Sequence, residues 1–307
     1  FEYIQHASDY GIEVKEASHD FSKIVKRSRD VAGGMSKGVQ FLMKKNKIDV
    51  INGYGKLLPG KKVEVTAADG KSQIVKASHV MVATGGRSRQ LPSLPQDGKK
   101  IIGYREAMTL SKQPDSIVIV GSGAIGVEFA YVYAALGTKV TVVEYLPRIV
   151  PNEDADVSKE LAKSLKKTGI DFMTSTEVTH VDTKGKGCIV HYKDAKGEHS
   201  MTSEMVLSAV GVTPNIENIG LEAVGIQTER GHIVVDDMYR TTAPGYYAIG
   251  DVVPGQALAH VASAEGIICV ESIAGHNPQA IDYNNIPGCT YCSPEVASVG
   301  YTELQAK

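Results

Sequence analysis

The sequence predicts an α/β fold organised on a doubly wound parallel sheet, and three stretches predict it. Ser116–Val120 is an uninterrupted apolar run, as expected of a strand buried on both faces. It runs into the glycine-rich turn Gly121–Gly126, after which a helix over 127–136 and a second strand, Lys139–Glu144, follow. A helix at 156–167, stopped by Gly169, and a strand Ile170–Thr174 then repeat the alternation.

The other elements follow in chain order. Apolar residues at Phe21, Ile24, Val25, Val31, Val39, Leu42 and Met43 recur with helical spacing and predict one long helix over 16–46, with Gly33-Gly34 a candidate kink. Short strands are predicted at Asp49–Gly53, Lys62–Thr66, Gln73–Ala77 and His79–Ala83, and Ala67-Ala68-Asp69-Gly70 turns the middle pair into a hairpin. Pro92, Pro95 and Pro114 mark a connection to the βαβ unit. Gly137 closes the helix of that unit. Three antiparallel strands are expected near 177–183, 188–193 and 204–210, and a fresh segment starts near Thr241.

Composition narrows the function. With 33 basic and 35 acidic residues the net charge is −2 and no run of one sign stands out, so neither nucleic acid nor a membrane surface is expected as a partner. No apolar stretch approaches the ~18 residues of a membrane span. Four scattered cysteines do not form a disulfide framework, which favours a reducing, cytoplasmic setting. The chain opens on Phe1 and closes just after the helix start Thr302-Glu303-Leu304, and it reads as an internal piece of a longer protein.

The turn carries the chemistry. Gly121-Ser122-Gly123-Ala124-Ile125-Gly126 fits G-x-G-x-x-G, a weak signal alone. Here it follows a buried strand, opens a helix and is trailed by Glu144 at the end of the next strand, at the ~20-residue distance of a dinucleotide-binding, Rossmann-like unit. Gly121 permits the tight turn, Gly123 lets a pyrophosphate approach the backbone, and Gly126 permits close helix packing. Glu144 suits the two ribose hydroxyls and repels a 2′-phosphate, which argues for NAD over NADP. Arg148 does not replace that acid. Glu128 shares a helix face with Ala124 and reads equally as a nicotinamide contact or as an acid offsetting the helix dipole.

A second nucleotide is suggested downstream and upstream. Val80–Ala83 ends in Thr84-Gly85-Gly86, and Met205–Val210 ends similarly in Gly211, so two related nucleotide domains are expected. Tyr247-Ala248-Ile249-Gly250-Asp251 delivers an acid at a strand end, where a ribityl hydroxyl of a flavin could be held, and Ala257 to Gly266 starts a helix rich in small residues.

Together these stretches, with Thr241-Thr242, Leu258-Ala259-His260, Asn52–Lys56, Ile286-Pro287 and Pro294–Gly300, resemble the pyridine nucleotide–disulfide oxidoreductase family over nearly the whole chain. Within it the dihydrolipoyl dehydrogenase group fits best. The resemblance implies NAD contacts at Gly121, Ser122, Gly123, Ala124, Ile125, Gly126, Glu128, Glu144, Val178 and Gly211. It implies FAD contacts at Gly55, Thr84, Gly85, Gly86, Asp251, Ala257, Leu258, Ala259 and His260, the last through its backbone rather than as a proton carrier.

It also implies a domain plan: residues 1–112 and 241–285 as parts of the FAD domain, 113–240 as the NAD domain, and 286–307 as the start of a dimer-interface domain. Ala124 stands where NADPH-linked relatives carry a tyrosine, and Thr213 where arginine is common.

The implied activity is oxidation of dihydrolipoamide, carried on a lipoyl domain, by way of a redox disulfide and FAD to NAD, as the shared component of 2-oxo acid dehydrogenase complexes. The family's redox disulfide and its His–Glu pair are expected outside this chain, so no catalytic residue is assigned within it. No metal is expected, because Cys289-Thr290-Tyr291-Cys292 lacks a second ligand pair and reads as two cysteines on opposite faces of a strand. The alternatives are an NAD-linked disulfide reductase, an NADH oxidase, or a non-catalytic NAD(H)-binding module.

Overall fold

A computed structural model describes residues 2–307; Phe1, the first residue of the segment assigned to 1–112, lies outside the described residues. The chain divides into two compact units, one of Phe1–Gly38, Ser88–Gly211 and Pro287–Lys307, the other of Val39–Arg87 and Val212–Ile286.

The first unit contains the predicted parallel sheet. Five strands lie in the spatial order Ile101–Ile102, Met205–Ser208, Ser116–Val120, Lys139–Val143, Asp171–Met173, and every pairing is parallel. Both faces of the central strand are covered, which explains its unbroken apolar run. Ile117 and Ile119 point into a core with Val127, Ala130 and Tyr133 of the helix Ala124–Ala135 and Leu161 and Leu165 of the helix Ala155–Lys167. Val118 and Val120 point the other way, against Val178, Cys188 and Val190. Each valine, leucine or isoleucine among them contributes about 1.5–3 kcal/mol by leaving water.

That second face is covered by an antiparallel sheet of Glu177–Asp182, Cys188–Asp194 and Gly197–Ser203. The third predicted member, 204–210, is corrected here. Residues 205–208 enter the parallel sheet, and the antiparallel edge is built from Gly197–Ser203 instead. The edge strand is mostly exposed and polar, so it offered no alternation to read.

The second unit holds a meander of Tyr54–Leu58, Lys62–Thr66 and Ser72–Lys76. The last two form the predicted hairpin. The strand expected at 49–53 instead begins at Tyr54, because Pro59-Gly60-Lys61 makes the turn back, with Gly60 at φ 81°. Val80–Val82 pairs in parallel with Tyr246–Ala248, and the helix Ala259–Ile273 follows a short 3₁₀ turn at Gly250–Val252.

The long helix spans Phe21–Lys45, not 16–46. Asp20 begins it by accepting from the Lys23 amide at 3.2 Å. Gly33-Gly34 does not interrupt it. None of its residues is buried, and Val31, Met35, Val39 and Leu42 are exposed.

Candidate functional site

In the first unit the parallel sheet has a switch point. The strand Ser116–Val120 continues to Lys139–Val143 on one side, while Met205–Ser208 flanks it on the other. Open α/β sheets bind ligands outside the strand ends at such a point. Here the fingerprint turn and the segment before Gly211 come together: the Ala209 amide donates to the Val120 carbonyl at 2.8 Å. Gly121 has φ 100°, and a Cβ built there would lie 2.5 Å from the Ala209 carbonyl oxygen, so the turn admits no side chain. A Cβ at Gly123, by contrast, meets nothing within 4 Å. Glycine at that position keeps a surface bare that is otherwise sterically open, as a closely approaching ligand requires.

The helix Ala124–Ala135 starts at Gly123 with no side-chain cap and no acid in its first turn. Its free amides therefore face outward as anion donors. The helix is anchored from behind by Tyr133, whose hydroxyl donates to the Ala107 carbonyl at 2.7 Å and whose burial pushes the phenol up to about 12.

Glu144 is buried at the end of its strand, 7% exposed. Its Oε2 accepts from both the Ser122 amide and the Ser122 hydroxyl at 2.7 Å, and its Oε1 accepts from the Leu146 amide at 2.8 Å. Three donors fix the carboxylate, and Oε1 retains acceptor capacity for a hydroxyl. Ser122 is thus more than a spacer between glycines. Arg148 donates to the carbonyls of Pro151 and Glu153 at 2.9 and 3.4 Å. Val178 packs beside Val120 and Val143. Glu128 accepts from the Tyr291 amide at 2.8 Å, a contact that sequence reading missed.

In the second unit Thr84, Gly85 and Gly86 leave the strand Val80–Val82 and are clamped by Asn215. The Thr84 hydroxyl donates to the Asn215 carbonyl at 2.6 Å, the Asn215 amide nitrogen of the side chain donates to the Thr84 carbonyl at 3.0 Å, and its backbone amide donates to Gly85 at 2.8 Å. Arg87 holds the same segment through a two-point contact with Glu217, at 2.6 and 2.9 Å, which keeps the Glu217 carboxyl at about 2. Gly86 lies against Asp251, since a Cβ there would come within 3.0 Å of Asp251 Oδ2. Ala257, Leu258, Ala259 and His260 form the start of the helix Ala259–Ile273, with Leu258 at its cap. Gly55 sits at an exposed position of the strand Tyr54–Leu58 of the same unit.

The turn before Asp251 rests on a buried acid that sequence reading did not single out. Glu265, 1% exposed, accepts from the Gly250 amide at 2.5 Å and from the Tyr283 hydroxyl at 2.7 Å, and Tyr239 and Tyr283 share a hydrogen bond of 3.0 Å. Burial pushes the Tyr283 phenol up, so it stays a donor. The signal was present: Val261, Glu265 and Cys269 form one buried stripe of that helix, with an acid where an apolar residue is expected.

The cysteine pair is corrected. Cys289 lies on the strand Gly288–Thr290, whereas Cys292 lies beyond its end and is buried, so the two do not occupy opposite faces of one strand. Burial, then the neighbouring Glu128, pushes the Cys292 thiol up to about 11.

The family model described as pyridine nucleotide-disulphide oxidoreductase matches residues 6–266. The chain belongs to that family. Members use FAD and NAD, which suits the two nucleotide-like strand ends described above. Among curated relatives, a dihydrolipoyl dehydrogenase of Chlorobaculum parvum is 45% identical over 307 residues, covering 100% of this chain and 66% of its own length. One of Rhizobium etli is 43% identical, covering 100% and 67%. Among solved structures, LpdA from Mycobacterium tuberculosis superposes with a TM-score of 0.91 at 31% identity, covering 99% of this chain and 66% of that one. The disulfide reductase RclA from Escherichia coli gives 0.84 at 25%, covering 99% and 68%. The chain thus spans about two thirds of the length of these family members. Among the described residues no helix is long and apolar enough to cross a membrane.

Proposed function

We propose that this chain supplies the NAD site and part of the FAD site of a dihydrolipoamide:NAD oxidoreductase serving 2-oxo acid dehydrogenase complexes. The observation that carries the nucleotide half is the buried Glu144, fixed by Ser122 and Leu146 with Oε1 still able to accept. The relatives named dihydrolipoyl dehydrogenase, at 41–45% identity, support the substrate half.

In this reading Gly121 to Gly126 cradle the NAD pyrophosphate, Glu144 accepts from the adenosine ribose, and Glu128, Val178 and Gly211 line the way to the nicotinamide. Arg148 already donates to the carbonyls of Pro151 and Glu153, which supports NAD over NADP. Thr84, Gly85, Gly86 and Asp251 hold the flavin's polar chain, with Gly55 and Ala257 to His260 as further contacts. The two cofactors, when bound, supply hydride and electron transfer; the residues of this chain bind them, orient them and exclude water.

The domain plan stands as part of the proposal: 1–112 and 241–285 for FAD, 113–240 for NAD and 286–307 beginning a dimer interface. The partner is a dihydrolipoamide-bearing lipoyl domain, and the assembly a homodimer. Four free cysteines, three of them buried, fit a reducing cytoplasmic setting.

The test is the visible absorption of the full-length protein before and after anaerobic dihydrolipoamide. Flavin absorption that gains a long-wavelength band with the dithiol is expected. A flavin that ignores the dithiol but bleaches with NADH contradicts the substrate assignment and points to an NADH oxidase. Absence of flavin leaves only an NAD(H)-binding module.

A further inference from the structure

The antiparallel sheet of the first unit carries a cluster that nucleotide binding does not use. Along its first pairing Val178 opposes Tyr192, then the register shifts, so that His180 opposes His191, Val181 opposes Val190 and Asp182 opposes Ile189. Thr179 is the extra residue, and its hydroxyl donates to the His191 carbonyl at 3.2 Å. Side chains alternate with a period of two, so one inserted residue moves every later side chain to the other face. Val190 is buried in the core and Val181 packs against it. The shift therefore leaves His180, Asp182 and His191 together on the outer face.

The three side chains bring candidate ligand atoms close together. The two imidazoles lie parallel, with centroids 4.0 Å apart and planes inclined by 8°. His191 Nε2 stands 3.7 Å from Asp182 Oδ2, and one ligand atom from each of the three residues lies within 4.8 Å of the others. His191 Nε2 is shielded from solvent and makes no hydrogen bond, an unsatisfied position facing the cluster.

We propose that His180, Asp182 and His191 bind one divalent transition-metal ion of the zinc or copper class. Two imidazoles and one carboxylate suit those ions better than magnesium or calcium, which prefer all-oxygen sites. A tetrahedral ion with bonds of ~2.1 Å needs its ligands ~3.4 Å apart. His180 and Asp182 are exposed, so binding requires the His180 ring to unstack from His191 and both side chains to rotate towards the ion. Three protein ligands leave one coordination position for water. The ion would tie the two strands together at the bulge, so binding should stabilise the folded chain. His180 and His191 meet only across the strand pair, so no local spacing in the sequence announces the site.

Calorimetric titration of the full-length protein with zinc chloride, and separately with copper(II) chloride in a non-chelating buffer, tests the proposal. One equivalent is expected to bind and to raise the melting temperature. His180→Ala, at an exposed position where folding is not at risk, and His191→Ala should each weaken binding at least tenfold, and Asp182→Asn severalfold. His199→Ala, whose ring pairs instead with Asp194 at 3.1 Å, should leave affinity unchanged. Absence of saturable binding overturns the proposal, and so does binding that His180→Ala and His191→Ala leave intact.

Discussion

Glu144 Oε2 takes two hydrogen bonds from a single residue, Ser122, through its amide and its hydroxyl, both 2.7 Å long. The acid that is to read the ribose and the turn that is to hold the pyrophosphate are therefore one rigid piece. Ser122→Ala should remove one donor to a buried carboxylate and cost about 1–3 kcal/mol of stability. It should also weaken NADH binding severalfold by loosening Glu144. Denaturant unfolding and NADH fluorescence titration check both effects, and an unchanged NADH affinity would separate Ser122 from the site.

Gly121 is constrained twice over, by its φ of 100° and by the Ala209 carbonyl oxygen 2.5 Å from a built Cβ. Gly121→Ala should cost roughly 2–4 kcal/mol from backbone strain and overpacking together. Gly123→Ala, with nothing within 4 Å, should fold nearly normally and lose nucleotide affinity instead. Comparing melting temperature with NADH affinity for the two variants separates a folding glycine from a binding glycine.

Tyr283→Phe should unsettle the Asp251 turn from a distance. It removes a 2.7 Å hydrogen bond to the buried Glu265, leaving that carboxylate short of a donor at a cost of about 1–3 kcal/mol. Flavin retention during gel filtration is expected to fall with it. Retention equal to the wild type would show that Glu265 supports the fold and not the flavin segment.

Much of the first unit was legible because its signals are local. Ser116–Val120, the glycines and Glu144 lie within one βαβ unit at fixed spacing. What escaped were features made by pairing across the chain. Gly197–Ser203 is a polar edge strand with no hydrophobic alternation, so the run 204–210 took its place in the reading. Val50 and Ile51 drew a strand to 49–53, although Pro59-Gly60 announced the turn that sets its true position at Tyr54. Glu265 could have been found as the one acid in a buried helical stripe. The contact of Glu128 with the Tyr291 amide had no such signal, because it joins residues far apart in sequence.

The Arg87–Glu217 contact gives a pH prediction. Glu217 is held near 2 against an ordinary value of 4.5, chiefly by hydrogen bonding to Arg87. A depressed carboxylate stabilises the fold above its ordinary value and loses that contribution as pH falls from 4.5 towards 2. Both side chains are about half exposed, so the pair contributes only ~0.5–1 kcal/mol. Thermal melts should show Glu217→Gln below the wild type at neutral pH, with the gap closing near pH 2. A gap independent of pH would assign the effect to packing.

The three buried cysteines should be inert. Burial raises Cys188 and takes Cys269 and Cys292 to about 11. At pH 8 a thiol of that pKa is ionised about one part in a thousand. Iodoacetamide labelling of the native protein should therefore spare these three until denaturant is added. Rapid native labelling of Cys292 would contradict the inert reading.

Direct binding of NAD and NADP to the protein, compared by calorimetry with the wild type and Glu144→Ala, tests the central claim most directly. NAD should bind at least tenfold more tightly than NADP, and Glu144→Ala should erase most of that difference. Equal affinity for the two in the wild type, or a preference that survives loss of Glu144, would contradict the assignment of the fingerprint turn and its acid as the NAD site.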